Sequence, residues 1–224
     1  MRTSENVQRG ARALVLRGHD GAGALAVQEL AGYGVHVTVQ FPPESSLDKE
    51  KAAERLRLTE QRVKLWGAGE IKVDTPVAAV NALSENEFDL VIDTVGGRGI
   101  WDACRRVLHT TGQFTTLVGE SQQAIPSVNA HFKSNLRSLK RAFVKKDNKS
   151  IGYAWVSPVA DVDNDGEDIR DSLIAIGKLA VDGMIKPWVD VTRCVAFERA
   201  PTLFTGNGKS VLKDGQTGVV RIIG

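Results

Sequence analysis

The chain of 224 residues is long enough for one large domain with an appendage and far too long for a disulfide-stapled miniprotein. Hydrophobic residues make up 42% and charged residues 25%, the balance of a packed core inside a polar surface, which excludes a disordered chain. Lys and Arg number 29 against 27 Asp and Glu, a net charge of +2 that selects neither nucleic acid nor an anionic membrane as partner. No apolar run approaches the roughly 18 residues needed to span a bilayer. Residues 1–10 (MRTSENVQRG) lack the apolar stretch of a signal peptide, so a cytoplasmic protein without a membrane span is expected. Cys104 and Cys194 form no CxxC pair, which fits a reducing compartment and leaves too few thiols for a zinc cluster.

In chain order, Ala11 to Arg17 (ARALVLR) is a short apolar run ended by glycine, and Ala22 to Ala31 places Leu25, Ala26, Glu29 and Leu30 at helical spacing. Val35 to Gln40 (VHVTVQ) is β-branched and stopped by Pro42 and Pro43, and Asp48 to Leu58 is rich in helix formers. Val63 to Trp66 is expected as a third strand, followed by a helix over Pro76 to Leu83 and a buried strand over Phe88 to Thr94. A helix over Ile100 to Leu108 and a strand over Gln113 to Val118 come next. Strands separated by helices must pair in parallel through right-handed crossovers, so the expected fold is α/β, a doubly wound parallel sheet of Rossmann type.

Beyond it, Phe132, Leu136, Leu139 and Phe143 lie on one face of a basic amphipathic helix, and Ser150 to Ser157 is expected as a sixth strand. Asp168 to Val181 follows as a helix with Ile169, Leu173, Ile176 and Ala180 on its buried face, ended by Gly183 ahead of Pro187. The remainder has short β-rich pieces and no room for another βαβ unit. The expected division is a dinucleotide-binding domain over 10–184 and a β-rich C-terminal segment over 185–224.

The first strand runs into Gly18, His19, Asp20, Gly21, Ala22 and Gly23, and a helix starts at once. Glycines there let backbone N–H groups approach a pyrophosphate at the helix N-terminus. Against G-x-G-x-x-G, however, the middle glycine is Asp20, a carboxylate that would repel a diphosphate unless it turns away or is neutralised. The alternative is an ordinary strand-to-helix turn with Asp20 as the helix cap. At the end of the second strand Gln40 stands where an acid would hold the ribose hydroxyls of NAD. Ser45, Ser46, Lys49 and Lys51 could instead receive a 2′-phosphate, so NADP is favoured over NAD. Two further patterns mislead. GNGKS at 206–210 lacks the first glycine of a phosphate loop, and the acidic residues at 161–165 lack the closing Glu of a calcium loop. The four histidines show no metal or triad spacing, and no metal site is expected.

Taken together, GHDGAGALAVQEL (18–30), EFDLVIDTVGG (87–97), TGQFTTLVGE (111–120) and DGMIKPWVDV with FERAPTLF (182–204) resemble the medium-chain dehydrogenase/reductase superfamily, closest to its quinone-oxidoreductase-like branch. The resemblance implies cofactor contacts at Gly18, Gly21, Gly23 and Gln40. It implies others at Asp93, Thr94, Val95 and Gly96 after the fourth strand, and at Val118 and Gly119 after the fifth. It also implies that the catalytic domain preceding the nucleotide domain in the family is missing ahead of Arg12, and no catalytic residue can be assigned. Two functions follow: an NADP-dependent, zinc-independent oxidoreductase of quinone, enone or carbonyl reductase type acting on a small molecule, or a non-catalytic Rossmann module serving as scaffold or nucleotide sensor. The uncovered apolar side of 186–224 implies a homo-oligomer or a partner subunit.

Overall fold

Strand β1 (Arg12–Leu16) shows how one short run builds two cores. Successive side chains of a strand point to opposite faces. Ala13 and Val15 therefore join Val27, Val37, Val39 and Val63 on one side, while Leu14 and Leu16 join Val80, Phe88, Trp101 and Phe114 on the other. Both sides must be covered, which is the signature of a parallel sheet sandwiched between helices. The computed structural model describes residues 7–44, 48–119, 149–156, 169–186, 195–203 and 220–221.

The elements follow in order: α1 (Gly21–Gly32), β2 (His36–Phe41), α2 (Lys49–Leu65), β3 (Ala68–Val73), α3 (Pro76–Asn81), β4 (Phe88–Asp93), α4 (Arg98–Val107), β5 (Leu108–Thr116), β6 (Gly152–Trp155) and α5 (Ile169–Val181). The six strands pair in parallel in the order β3-β2-β1-β4-β5-β6, the doubly wound arrangement expected. Chain direction reverses its progress between β1 and β4, and ligands of such sheets bind at the strand carboxyl ends beside that switch. The register places Gln40, Leu16, Asp93, Thr116 and Trp155 in one row across that edge. Past α5, a two-residue strand β7 (Val195–Ala196) pairs in parallel with β8 (Val220–Arg221), and a 3₁₀ turn spans Phe197–Leu203.

Three expectations are corrected. Val63 to Trp66 is not a strand but the end of α2, which runs seven residues past Leu58. Val63 is fully buried because it is the inward face of that helix, and the third strand starts after Gly67, whose φ of +101° ends the helix. The fifth strand begins earlier than expected, at Leu108, with a register shift against β4 that accommodates the extra residues. Helix α5 exists, but Leu173 is 63% and Ile176 44% exposed and Ala180 is exposed as well. An apolar period marks a face without saying what covers it. The basic helix expected around Phe132–Phe143 and the two misleading patterns at 161–165 and 206–210 lie outside the described residues.

Two helix ends are closed by the same device. Gly34 (φ +75°) follows α1, and Val35 N–H donates to Leu30 O; Gly183 (φ +72°) follows α5, and Met184 N–H donates to Leu179 O. These are Schellman closures, which need a left-handed residue that glycine supplies at least cost. The second directs the chain back to α1. Ile185 is buried, and the Gln28 side chain grips the backbone of Lys186 from both sides: Lys186 N–H donates to Oε1 at 2.7 Å and Nε2 donates to Lys186 O at 3.1 Å.

Candidate dinucleotide site

Residues 17–23 turn β1 into α1 at the switch point. Arg17 has φ +54°, a left-handed conformation that costs a non-glycine residue about 1–2 kcal/mol. Gly18 N–H donates to Gln40 O at 3.2 Å, and a Cβ at Gly18 would lie 2.8 Å from Val39 Cγ1. At Gly23 a Cβ would meet Arg17 O at 2.4 Å and Gly18 Cα at 3.0 Å, so these two glycines are required by close helix–strand approach. Gly21 is different: its φ is +47°, and a Cβ would face open space.

The first intrahelical bond of α1 is Ala24 N–H to Asp20 O at 2.9 Å. The Gly21, Ala22 and Gly23 amides precede it, and an α-helix leaves such amides without internal partners. The Asp20 side chain does not cap them, and no acid stands in the first turn. Asp20 occupies the cap position, but the side-chain capping considered from the sequence does not occur. Its carboxylate instead accepts from Arg17 Nη2 at 2.9 Å, with His19 Nε2 at 3.4 Å from the same oxygen. The acid that interrupts the glycine pattern is thus turned aside and neutralised by the residue three positions before it.

Around this pair sit the His19 ring, with its centroid 5.2 Å from that of Phe41, and the Arg62 guanidinium, which lies over the Trp66 ring at 5.5 Å. Burial lowers the His19 pKa; Asp20 opposes that shift, while Arg17 and Arg62 add to it. Burial also lowers Arg62, against the attraction of Asp20. Arg17 Nε and His19 Nδ1 are buried without a hydrogen-bond partner among the described residues.

Gln40 reaches the end of β2 beside the loop, as its position requires, yet its side chain is fully buried. Oε1 accepts from Arg17 N–H at 3.2 Å, and Nε2 donates to Asp74 O at 2.6 Å. A ribose hydroxyl could reach this fully buried amide only if its surroundings moved. Ser45 and Ser46 lie outside the described residues, and Lys51 is paired with Asp48 at 2.9 Å.

The ends of β4 and β5 form one bonded unit. Asp93 is buried; its Oδ1 accepts from Val95 N–H and Gly96 N–H at 2.9 Å each, and Oδ2 accepts from Thr116 Oγ1 at 2.8 Å. Burial raises its pKa, with the three hydrogen bonds opposing. Thr116 Oγ1 in turn accepts from Val118 N–H and Gly119 N–H. Gly97 N–H donates to Gly119 O at 2.8 Å, and Thr94 Oγ1 donates to Leu16 O, binding both turns to β1. Trp155 reaches over from β6, its ring 3.3 Å from where a Gly119 Cβ would stand. The expected residues Gly18 to Gly23, Asp93 to Gly96, Val118 and Gly119 therefore line one edge of the sheet. Arg17, Arg62, Thr116 and Trp155 lie beside these expected residues and were not assigned to the site from the sequence. For Arg17 the signal was present, a cation three residues before the intruding acid.

With this geometry in view, the comparisons are decisive on kinship: residues 66–203 match the zinc-binding dehydrogenase family. The chain belongs to that family. It lies within the medium-chain dehydrogenase/reductase superfamily, whose members use nicotinamide cofactors. No curated protein matches the chain. Among solved structures, the cobalt- and zinc-bound thermostable alcohol dehydrogenase of Pyrobaculum aerophilum is similar at 17% identity and TM-score 0.56, covering 94% of this chain and 50% of that one. The quinone oxidoreductase of Coxiella burnetii is similar at 18% and 0.55, covering 89% and 50%. A mycobacterial protein complexed with NADPH is similar at 20% and 0.51, covering 81% and 50%. This zinc-binding dehydrogenase relative thus spans about half the length of those solved chains, and at such identities they show a shared fold. Among its described residues no group of three or more His, Cys, Asp or Glu side chains could hold a metal, and no helix is long and apolar enough to cross a membrane.

Proposed function

We propose that this chain binds a nicotinamide dinucleotide along the strand ends, NADPH in preference to NADH, as the cofactor-holding part of a reductase acting on a quinone, enone or carbonyl. The observation that carries the reading is the tip of α1: uncapped amides, a first turn without acids, and the one nearby carboxylate drawn off by Arg17. Gly21, Ala22 and Gly23 would hold the diphosphate there, with the open face of Gly21 as the approach. NADPH is favoured because Gln40, and not an acid, ends β2, and the Arg62 guanidinium acts on His19 beside that end, with Glu44 as the opposing charge. When bound, the nicotinamide supplies the hydride. The residues of the chain position and exclude water, with the bonded turns at Asp93–Gly96 and Val118–Gly119 as a rigid floor.

Residues 10–184 form the dinucleotide-binding domain in this reading, and residues 185–224 a docking segment. The substrate pocket is completed by a second copy or a partner subunit; Phe197, 60% exposed, belongs to the surface that such a partner would cover. A second reading, a scaffold or nucleotide sensor without turnover, is favoured by the internal commitment of the Gln40 amide. Titration of NADPH and NADH against intrinsic fluorescence separates them, since Trp155 sits at the edge of the site. Saturable quenching, tighter for NADPH, followed by its oxidation on adding a quinone supports the reductase. Saturation without turnover supports the sensor. Absence of binding at millimolar cofactor refutes both nucleotide readings for this chain.

A further inference from the structure

The structure spends an unfavourable backbone conformation on Arg17, where glycine would sit more easily, and places its guanidinium on Asp20. A left-handed arginine persists only where the surroundings hold it there. One bond and one close approach do so from the backbone side: Arg17 N–H is fixed by Gln40 Oε1, and its carbonyl faces the helix across the gap that Gly23 leaves open. The side chain is thereby directed along the loop toward Asp20. The carboxylate it holds belongs to the residue immediately before the uncapped amides, and Asp at that position ordinarily bonds those amides itself. Without Arg17, Asp20 would keep only the His19 Nε2 contact at 3.4 Å, and an Asp at the cap ordinarily turns to the amide hydrogens of Ala22 and Gly23, the groups a diphosphate needs.

Resting on the cofactor reading above, we infer that Arg17 is a positioning residue for anion binding: it keeps Asp20 from capping α1 and so keeps the helix tip open to phosphate. Arg17 acts through Asp20, and its effect disappears when residue 20 carries no charge. This distinguishes it from a phosphate-contacting arginine, whose removal weakens binding whatever stands at position 20.

The test is a cycle of Arg17→Gln, Arg17→Lys, Asp20→Ala and the double variant Arg17→Gln/Asp20→Ala, with inorganic pyrophosphate and NADPH titrated calorimetrically into each full-length protein. Gln and Lys bear the same left-handed backbone cost as Arg to a first approximation, so stability measured in urea reports folding separately from binding. Arg17→Gln is expected to weaken both ligands by about tenfold or more, the scale of a like charge brought against a phosphate. Lys at position 17 retains most of the affinity, and Asp20→Ala in the double variant restores it to that of Asp20→Ala alone. A double variant as weak as Arg17→Gln, or an Arg17→Gln protein that binds like the parent, overturns the role given to Arg17 while leaving the cofactor reading intact. A parent protein that binds neither pyrophosphate nor NADPH overturns the cofactor reading itself.

Discussion

Replacing Gly23 with alanine tests the packing on which the loop depends. The added Cβ would stand 2.4 Å from Arg17 O and 3.0 Å from Gly18 Cα. Both neighbours are backbone, so no side chain can rotate away, and the first gap must widen to at least 3.0 Å by moving α1 off β1. Overpacking of this kind costs about 1–3 kcal/mol, and rigid backbone partners place the cost at the upper end. Alanine in place of glycine returns up to about 1 kcal/mol of helix propensity, leaving a net loss of about 2 kcal/mol. For a chain of this length that lowers Tm by about 4–8 °C. Gly99→Ala is the internal control: it lies in α4, a Cβ there meets nothing within 4 Å, and Tm should rise by about 2–4 °C. Thermal unfolding by circular dichroism reads both. If Gly23→Ala is as stable as Gly99→Ala, the helix and strand are not locked together as described, and the account of the loop fails.

Gln40→Glu would offer an acid at the position where NAD-binding folds use one, but it replaces the donor that faces Asp74 O with a buried carboxylate oxygen. It is expected to cost about 3 kcal/mol of stability in urea unfolding, as an unpaired buried charge does, and to leave NADH binding no tighter. Asp93 has a folded-state pKa raised by burial, so its contribution to stability is full below about pH 4 and is lost as pH rises through the raised value. Asp93→Asn should remove that loss, so the stability of the variant minus that of the parent should increase from about pH 4 toward neutrality and then level off; a flat difference would show that Asp93 titrates normally.

The strand-and-helix alternation could be read because the central parallel strands are covered on both faces and so are written as dense apolar runs, as in Leu14–Leu16 and Leu90–Ile92. The third strand escaped for the opposite reason: AGEIKV at the sheet edge is half exposed and weakly apolar, while Val63, four residues ahead of the Gly67 stop, is a buried helix residue that imitates a strand. The glycine loop was visible as a pattern. Where the Asp20 carboxylate points was not, because it depends on the left-handed turn at Arg17, and no local propensity announces a left-handed arginine. Gln40 was found by position but not by state: its burial follows from the alignment of β2 with β1 and from the carbonyl of Asp74, both of which are tertiary.

The grip of Gln28 on Lys186 ties distant parts of the chain into a single lever. The stretch that follows α5 is fastened at Lys186 midway along the same rod whose far tip carries the amides of Gly21 to Gly23. A pull applied at Lys186 is therefore delivered first to that rod.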